Sequence, residues 1–233
     1  MSLLQVAGLE AGYDRLQVLW GVDLAVGEGE SVLLLGANGA GKTTLLRAVV
    51  GLLPAWSGRI ELAGADVTRW RADRRIRRGV AFMSELGVFP TLSIRENLRM
   101  GGYFLRGAEA RARASELYEM FPDLAGRRRE LAASLSGGQR KMLGVAKALM
   151  SRPRLLVMDE PSAGLAPVFV KQVVESLERV HGQGMSLLIA EQNTAFLHLA
   201  DRGYVLEGGR IVFEGAGAEL RDSEVVRDAY FGV

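Results

Sequence analysis

The sequence predicts an α/β fold: a mainly parallel sheet built around a phosphate-binding loop, with a block of helices inserted. Three observations predict it. First, a G-x-x-x-x-G-K-[ST] stretch lies between the apolar run Val32 to Leu35 and a helical pattern over Leu45 to Val50. Second, a continuous apolar run at 155–158 reads as a parallel strand buried on both faces, and 185–190 as another buried strand. Third, residues 93–150 carry apolar side chains at three- and four-residue spacing and read as helices.

In chain order, residues 3–9 and 17–26 read as strands flanking a turn around Gly12-Tyr13-Asp14, and Gly27 to Glu30 as a tight turn. The loop Gly36-Ala37-Asn38-Gly39-Ala40-Gly41-Lys42-Thr43-Thr44 then opens into a helix starting at Lys42, which Gly51 and Pro54 stop. Residues 57–62 and 79–83 are short strands. Within 93–150 the helical patterns are clearest at Glu96 to Leu98, Ala108 to Met120 and Gly138 to Met150. Strand resumes at Arg154 to Asp159, and Pro161 prevents it from continuing. A helix over Val168 to His181, a strand over Met185 to Ala190 and a short helix over Asn193 to Ala200 follow. Gly203 to Gly215 forms a hairpin around Glu207-Gly208-Gly209, and 217–231 forms two short helices. Alternating strands and helices imply right-handed crossovers and a single domain over 1–233, with 1–92 and 151–233 as core and 93–150 as a helical subdomain.

Composition narrows the class. A chain of 233 residues, 48% hydrophobic, can bury a full core. No apolar run nears the ~20 residues that cross a bilayer. The opening Met-Ser-Leu-Leu-Gln-Val lacks the basic start and apolar core of an export signal, and zero cysteines fit a reducing compartment. The expected location is the cytoplasm. Arg69 to Arg78 holds six arginines. With a net charge of only +2, that run reads as a solvated helix face rather than a nucleic-acid patch, and Arg127-Arg128-Arg129 as solvated too.

The phosphate loop carries definite chemistry. Its glycines let successive N–H groups turn toward phosphate oxygens, and the helix start adds a positive dipole end. Gly36, Asn38, Gly39, Ala40, Gly41, Lys42, Thr43 and Thr44 are therefore the candidate ATP-binding residues. Lys42 supplies a point charge to the β- and γ-phosphates, and the Thr43 hydroxyl can ligate Mg²⁺. Asp159 closes an apolar strand, where ligands bind in open α/β sheets, and can hold Mg²⁺. Glu160 follows, expected on the opposite side of the strand, and is placed to polarise an attacking water. Leu135-Ser136-Gly137-Gly138-Gln139 precedes a helix expected near Arg140; alone it reads as a cap, and beside a phosphate loop as a second anion site.

Gly36–Thr44, Leu135–Gln139 and Leu155–Glu160, in that order, resemble the Walker A, signature and Walker B motifs of an ABC-type ATPase across essentially the whole chain. Asp159 to Pro167, Ala190 to Asn193 and Ala200 to Glu207 further resemble the smaller ATP-binding subunit of branched-chain amino-acid importers. That resemblance implies an N-terminal antiparallel β subdomain, a parallel core and an α-helical subdomain that docks on membrane-embedded partners. It implies adenine stacking on Tyr13, γ-phosphate contacts from Ser136 and Gly138 of a partner chain, with Gly137 and Gln139 in the same nucleotide-binding loop, and a D-loop at Ser162 to Leu165. Two positions depart from the wider family. Glu85 stands near the usual glutamine that touches Mg²⁺ and water, in a segment to Val88 that looks short, and Gln192 stands where a histidine is usual. Both substitutions occur in the importer subgroup. Gln192 donates a hydrogen bond but carries no charge, so hydrolysis is expected to depend chiefly on Glu160.

The implied whole is an ATP-hydrolysing motor subunit that uses Mg²⁺ on the inner face of the membrane. It pairs with a second ATP-binding subunit, as a heterodimer or homodimer, and with permease subunits, and serves a solute-binding protein indirectly. An exporter or lipid-transporter subunit shares this chemistry with another cargo. A soluble ABC protein acting on DNA or ribosomes ranks lower, because the chain has neither a second cassette nor a long coiled-coil insertion.

Overall fold

The strands sort into two sheets in the computed structural model, which describes residues 2–222. β1 (Ser2–Tyr13), β2 (Leu16–Gly27), β4 (Ser57–Leu62) and β5 (Ala65–Asp66) form an antiparallel sheet in the order β2-β1-β4-β5. The second sheet runs β10-β9-β3-β8-β7-β6, from β3 (Ser31–Leu35), β6 (Val80–Met83), β7 (Leu155–Asp159), β8 (Ser186–Glu191), β9 (Arg202–Glu207) and β10 (Arg210–Ala216). All its neighbours are parallel except the β9–β10 hairpin. Helices α1 (Lys42–Val50), α2 (Ala72–Arg77), α3 (Ile94–Gly101), α4 (Gly107–Met120), α5 (Pro122–Ala125), α6 (Gly137–Leu149), α7 (Pro167–His181) and α8 (Gly217–Asp222) complete it.

Strand alternation divides the interior. Successive side chains point to opposite faces, so Val32, Leu34, Val157, Leu188 and Ala190 join α1 and the antiparallel sheet in one core. Leu33, Leu35, Met158, Leu187 and Ile189 join the helices of the 93–150 block and α7 in the other. Every residue of β3, β7 and β8 is buried, which is why each has a continuous apolar centre, with polar residues only at the strand ends. Their parallel register pairs Leu35 with Glu191 and Asp159 with Ala190, so the three strands deliver their carboxyl ends to one edge.

Several expectations are corrected. β1 continues through Gly12 and Tyr13, and the turn lies at Asp14, whose φ of 52° is a left-handed conformation that Asp tolerates. The short helix expected after β8 is present as a 3-10 helix at Thr194–His198. Of the two C-terminal helices expected over 217–231, α8 is seen and the remainder lies outside the described residues.

The arginine-rich run is not simply a solvated face. Arg75 is 2% exposed. Its guanidinium donates to the carbonyls of Ala48 (2.8 Å), Val49 (2.6 Å), Thr68 (3.0 Å) and Trp70 (3.0 Å). The first two are carbonyls that the last turn of α1 leaves without i+4 helical donors, and the other two belong to the segment before α2. Burial pushes the group down to about 10, still charged near neutrality. Arg74 and Arg77 lie over the rings of Trp70 and Phe104, and Arg128 over Tyr118. Arg75→Met is expected to strand those carbonyls at a cost of about 3 kcal/mol. Thermal denaturation should then show a melting temperature lower by roughly 6–12 °C for a chain of this size.

Candidate active site

β3 runs straight into the phosphate loop, and the loop's shape depends on backbone that other residues resist. A Cβ on Gly36 would sit 2.4 Å from the Leu206 carbonyl, and Gly41 caps α1 at a φ of 109°. Lys42 opens the helix but is 5% exposed, because its side chain folds back across the loop. Its ammonium donates to the carbonyls of Gly36 (2.8 Å) and Ala37 (3.2 Å) and lies 3.3 Å from a Glu160 carboxylate oxygen. The cation is thus aimed into the concavity, where a phosphate oxygen can exchange for these weaker acceptors. One residue on, the Thr43 hydroxyl donates to Asp159 Oδ1 at 3.1 Å.

Glu160 does not point away from Asp159. β7 ends at Asp159, and Glu160 adopts a φ of 47°, so the alternation of the strand stops before it. The turn directs its carboxylate to the same side, toward Lys42 and Gln192. A left-handed non-glycine residue costs about 1 kcal/mol or more and persists only where neighbours hold it. Here its N–H donates to the Ala190 carbonyl at 2.9 Å, and its own carbonyl accepts from Lys141 at 3.2 Å. Gln192 Nε2 donates to Glu160 Oε1 at 3.1 Å and to the side-chain oxygen of Asn38, joining the end of β8 to the phosphate loop.

The donors fit a hard cation. No group of three His, Cys, Asp or Glu side chains able to hold a metal occurs among the described residues. Mg²⁺ does not need one, since it is commonly held by one or two protein oxygens together with phosphate oxygens and water. Thr43 and Asp159 supply two adjacent oxygens. Burial holds the Asp159 carboxyl above the usual carboxylate range despite the Thr43 hydrogen bond, and Glu160 beside it acts in the same direction. An arriving cation would relieve both effects.

The remaining candidates are distributed around this edge. Ser136 is the N-cap of α6, which starts three residues earlier than expected. Its hydroxyl accepts from the Gln139 N–H (3.3 Å) and its N–H donates to Gln139 Oε1 (3.1 Å). This capping box fixes the helix entrance, while the first N–H groups of a helix have no intrahelical acceptor and favour an anion. A Cβ on Gly137 would meet Leu165 at 2.9 Å and one on Gly138 the Phe169 ring at 2.8 Å, so both glycines seat the entrance against the segment after Glu160. The Tyr13 ring is 38% exposed, and its hydroxyl accepts from Arg47 of α1 at 3.3 Å. Glu85 is exposed and reaches the site through its carbonyl, which accepts from Lys141 at 2.6 Å.

Two buried charges escaped the sequence reading. Glu191, 2% exposed, accepts from the N–H groups of Ser162 (2.6 Å), Gln192 (2.9 Å) and Asn193 (3.1 Å). It fixes the start of the segment after Glu160 to the end of β8. Its signal was a carboxylate closing a continuous apolar run. Lys141, 7% exposed, falls on the apolar stripe of α6 with Gly138, Val145 and Ala148, and a charge on such a stripe was its signal.

Comparison with known proteins agrees with this geometry. A family model described as ABC transporter matches residues 19–163. The chain is 42% identical to the high-affinity branched-chain amino acid transport ATP-binding protein BraG of Pseudomonas aeruginosa, over 94% of this chain and 95% of that protein. It is 34% identical to the lipopolysaccharide export system ATP-binding protein LptB of Escherichia coli, over 100% and 98%. Among solved structures, the ADP conformation of an ATP-binding cassette of an ABC transporter superposes with a TM-score of 0.89 at 26% identity, covering 100% of both chains.

Proposed function

This chain belongs to the ABC transporter family of ATP-hydrolysing subunits, and from that premise we propose that it drives import of branched-chain or related amino acids. The observation that carries the hydrolytic part is the convergence of Lys42 and Gln192 on the Glu160 carboxylate, with Gln192 also bonded to Asn38 of the phosphate loop, at the ends of β3, β7 and β8. The likeness to BraG, at 42% identity against 34% for LptB, supports the cargo.

In the proposed cycle, ATP lies along the loop with its β- and γ-phosphates at Lys42 and its adenine on Tyr13. Bound Mg²⁺, held by Thr43 and Asp159, would neutralise phosphate charge. Glu160 orients water for in-line attack, with Gln192 hydrogen-bonded to its carboxylate. A second ATP-binding subunit, packed head to tail, brings its Ser136–Gln139 helix entrance to the γ-phosphate. Closure of that pair moves the helical block. Leu86, Phe89, Met100, Tyr103 and Phe104 are exposed large apolar residues around α3 and fit a permease contact. No helix among the described residues is long and apolar enough to cross a membrane.

The likeness to LptB favours one second reading, the motor of an exporter. Isolating the native complex and measuring its ATPase rate with candidate solutes on its receptor tests the choice. Stimulation by a branched-chain amino acid supports import; a complex with no solute receptor, stimulated by a lipid, supports export.

A further inference from the structure

Lys141 is buried one turn inside α6, yet no step above uses it. Its ammonium lies between two backbone carbonyls, Glu85 at 2.6 Å and Glu160 at 3.2 Å. The first belongs to the turn after β6, the second to the residue proposed as general base. Burial lowers its affinity for a proton, and the carboxylates of Glu85, Glu191, Glu160 and Asp159 oppose that shift. A cation in this position is therefore embedded among the acidic groups of the site rather than turned to solvent. α6 has little freedom to slide over the turn. A Cβ on Gly144 would sit 3.0 Å from Met83 Cε and 3.4 Å from Gly87 Cα.

The backbone that Lys141 grips is also the strained one. Glu160 keeps its left-handed φ of 47° through three backbone contacts, its N–H donating to Ala190 and its carbonyl accepting from the Ala163 N–H within the turn (3.1 Å) and from Lys141, the only one of the three supplied by α6. Two residues later, Glu191 accepts from the Ser162 N–H. The peptide segment 160–162 is thus fixed between a buried cation on α6 and a buried anion on β8. Ser136 caps the same rigid helix five residues before Lys141, so a shift of the helix entrance carries the ammonium with it.

We propose that Lys141 is a positioning residue for hydrolysis, which ties the Glu160 and Glu85 carbonyls to the signature helix so that the aim of the Glu160 carboxylate depends on where that helix sits. The proposal rests on the reading of Glu160 as general base. It explains how a helix entrance engaged with a partner's nucleotide is felt at the base of its own site.

Lys141→Met removes both donors while keeping an unbranched chain of similar bulk. The expected result is a kcat lower by about ten- to a hundredfold, as for a small misplacement of a catalytic group. ATP affinity should stay within about twofold, because Lys42 and the loop are untouched, and an ATP-bound dimer should accumulate on size exclusion. A wild-type kcat would overturn the proposal. So would a fall in kcat matched by a fall in ATP affinity and in melting temperature, which is the pattern of a residue that only stabilises the fold. Should Lys141→Met not fold, Lys141→Gln, with donors on a shorter arm, is read by the same criteria. Glu160→Gln run alongside separates the two ideas: if it keeps turnover, the general-base reading fails, whereas if it loses turnover while Lys141→Met keeps it, only the positioning role fails.

Discussion

Glu160→Gln is expected to abolish turnover while leaving nucleotide binding intact. The amide preserves shape and can still accept the Gln192 hydrogen bond at the 3.1 Å site, so the local geometry survives. What it lacks is the negative charge that polarises an attacking water. Loss of a positioned general base costs about 10²–10⁴ in rate. ATP affinity should hold or rise slightly, because the 3.3 Å pairing of Lys42 with Glu160 competes with phosphate for the ammonium and weakens when the charge is removed. Single-turnover measurements with radiolabelled ATP check this, and unimpaired cleavage would remove Glu160 from the mechanism. In the wild type, the strained φ of 47° makes the carboxylate's direction a property of its surroundings rather than of β7.

Lys42→Ala is expected to act on binding first. The ammonium is 5% exposed and directed into the loop by the Gly36 and Ala37 carbonyls. A charge-assisted hydrogen bond to phosphate contributes up to ~3 kcal/mol. Its loss therefore weakens ATP binding by about a hundredfold. Titration with a fluorescent ATP analogue reads the effect directly. Affinity equal to the wild type would mean that the phosphates do not lie along residues 36–44. AMP binding should be nearly unaffected, since contact with Tyr13 and the α1 entrance does not require Lys42.

Most of the fold was legible because its strands are buried on both faces. Val32 to Leu35, Leu155 to Met158 and Leu187 to Ala190 are apolar without interruption, and no helix period competes with them. The loop was legible because its glycines and Lys42 occupy fixed offsets between a strand and a helix. Glu160 was misplaced because strand alternation was carried one residue too far, and no propensity signals a left-handed glutamate. Arg75 was misread because charge runs are usually solvated, and only the tertiary fold brings two carbonyls of the α1 terminus together with those of Thr68 and Trp70 around one guanidinium. Lys141 and Glu191 were overlooked for a related reason. A buried charge is identified by its partners, and these partners are backbone groups, which a sequence does not display.

In the proposed cycle each site needs a second subunit to finish it. The specific ATPase rate per chain, followed across protein concentrations that span the monomer–dimer transition seen by sedimentation, tests this most directly. A rate that climbs with concentration, follows the dimer fraction and disappears in Ser136→Arg while ATP still binds is the expected result. A rate per chain that is constant where only monomers sediment, and indifferent to Ser136→Arg, would contradict it.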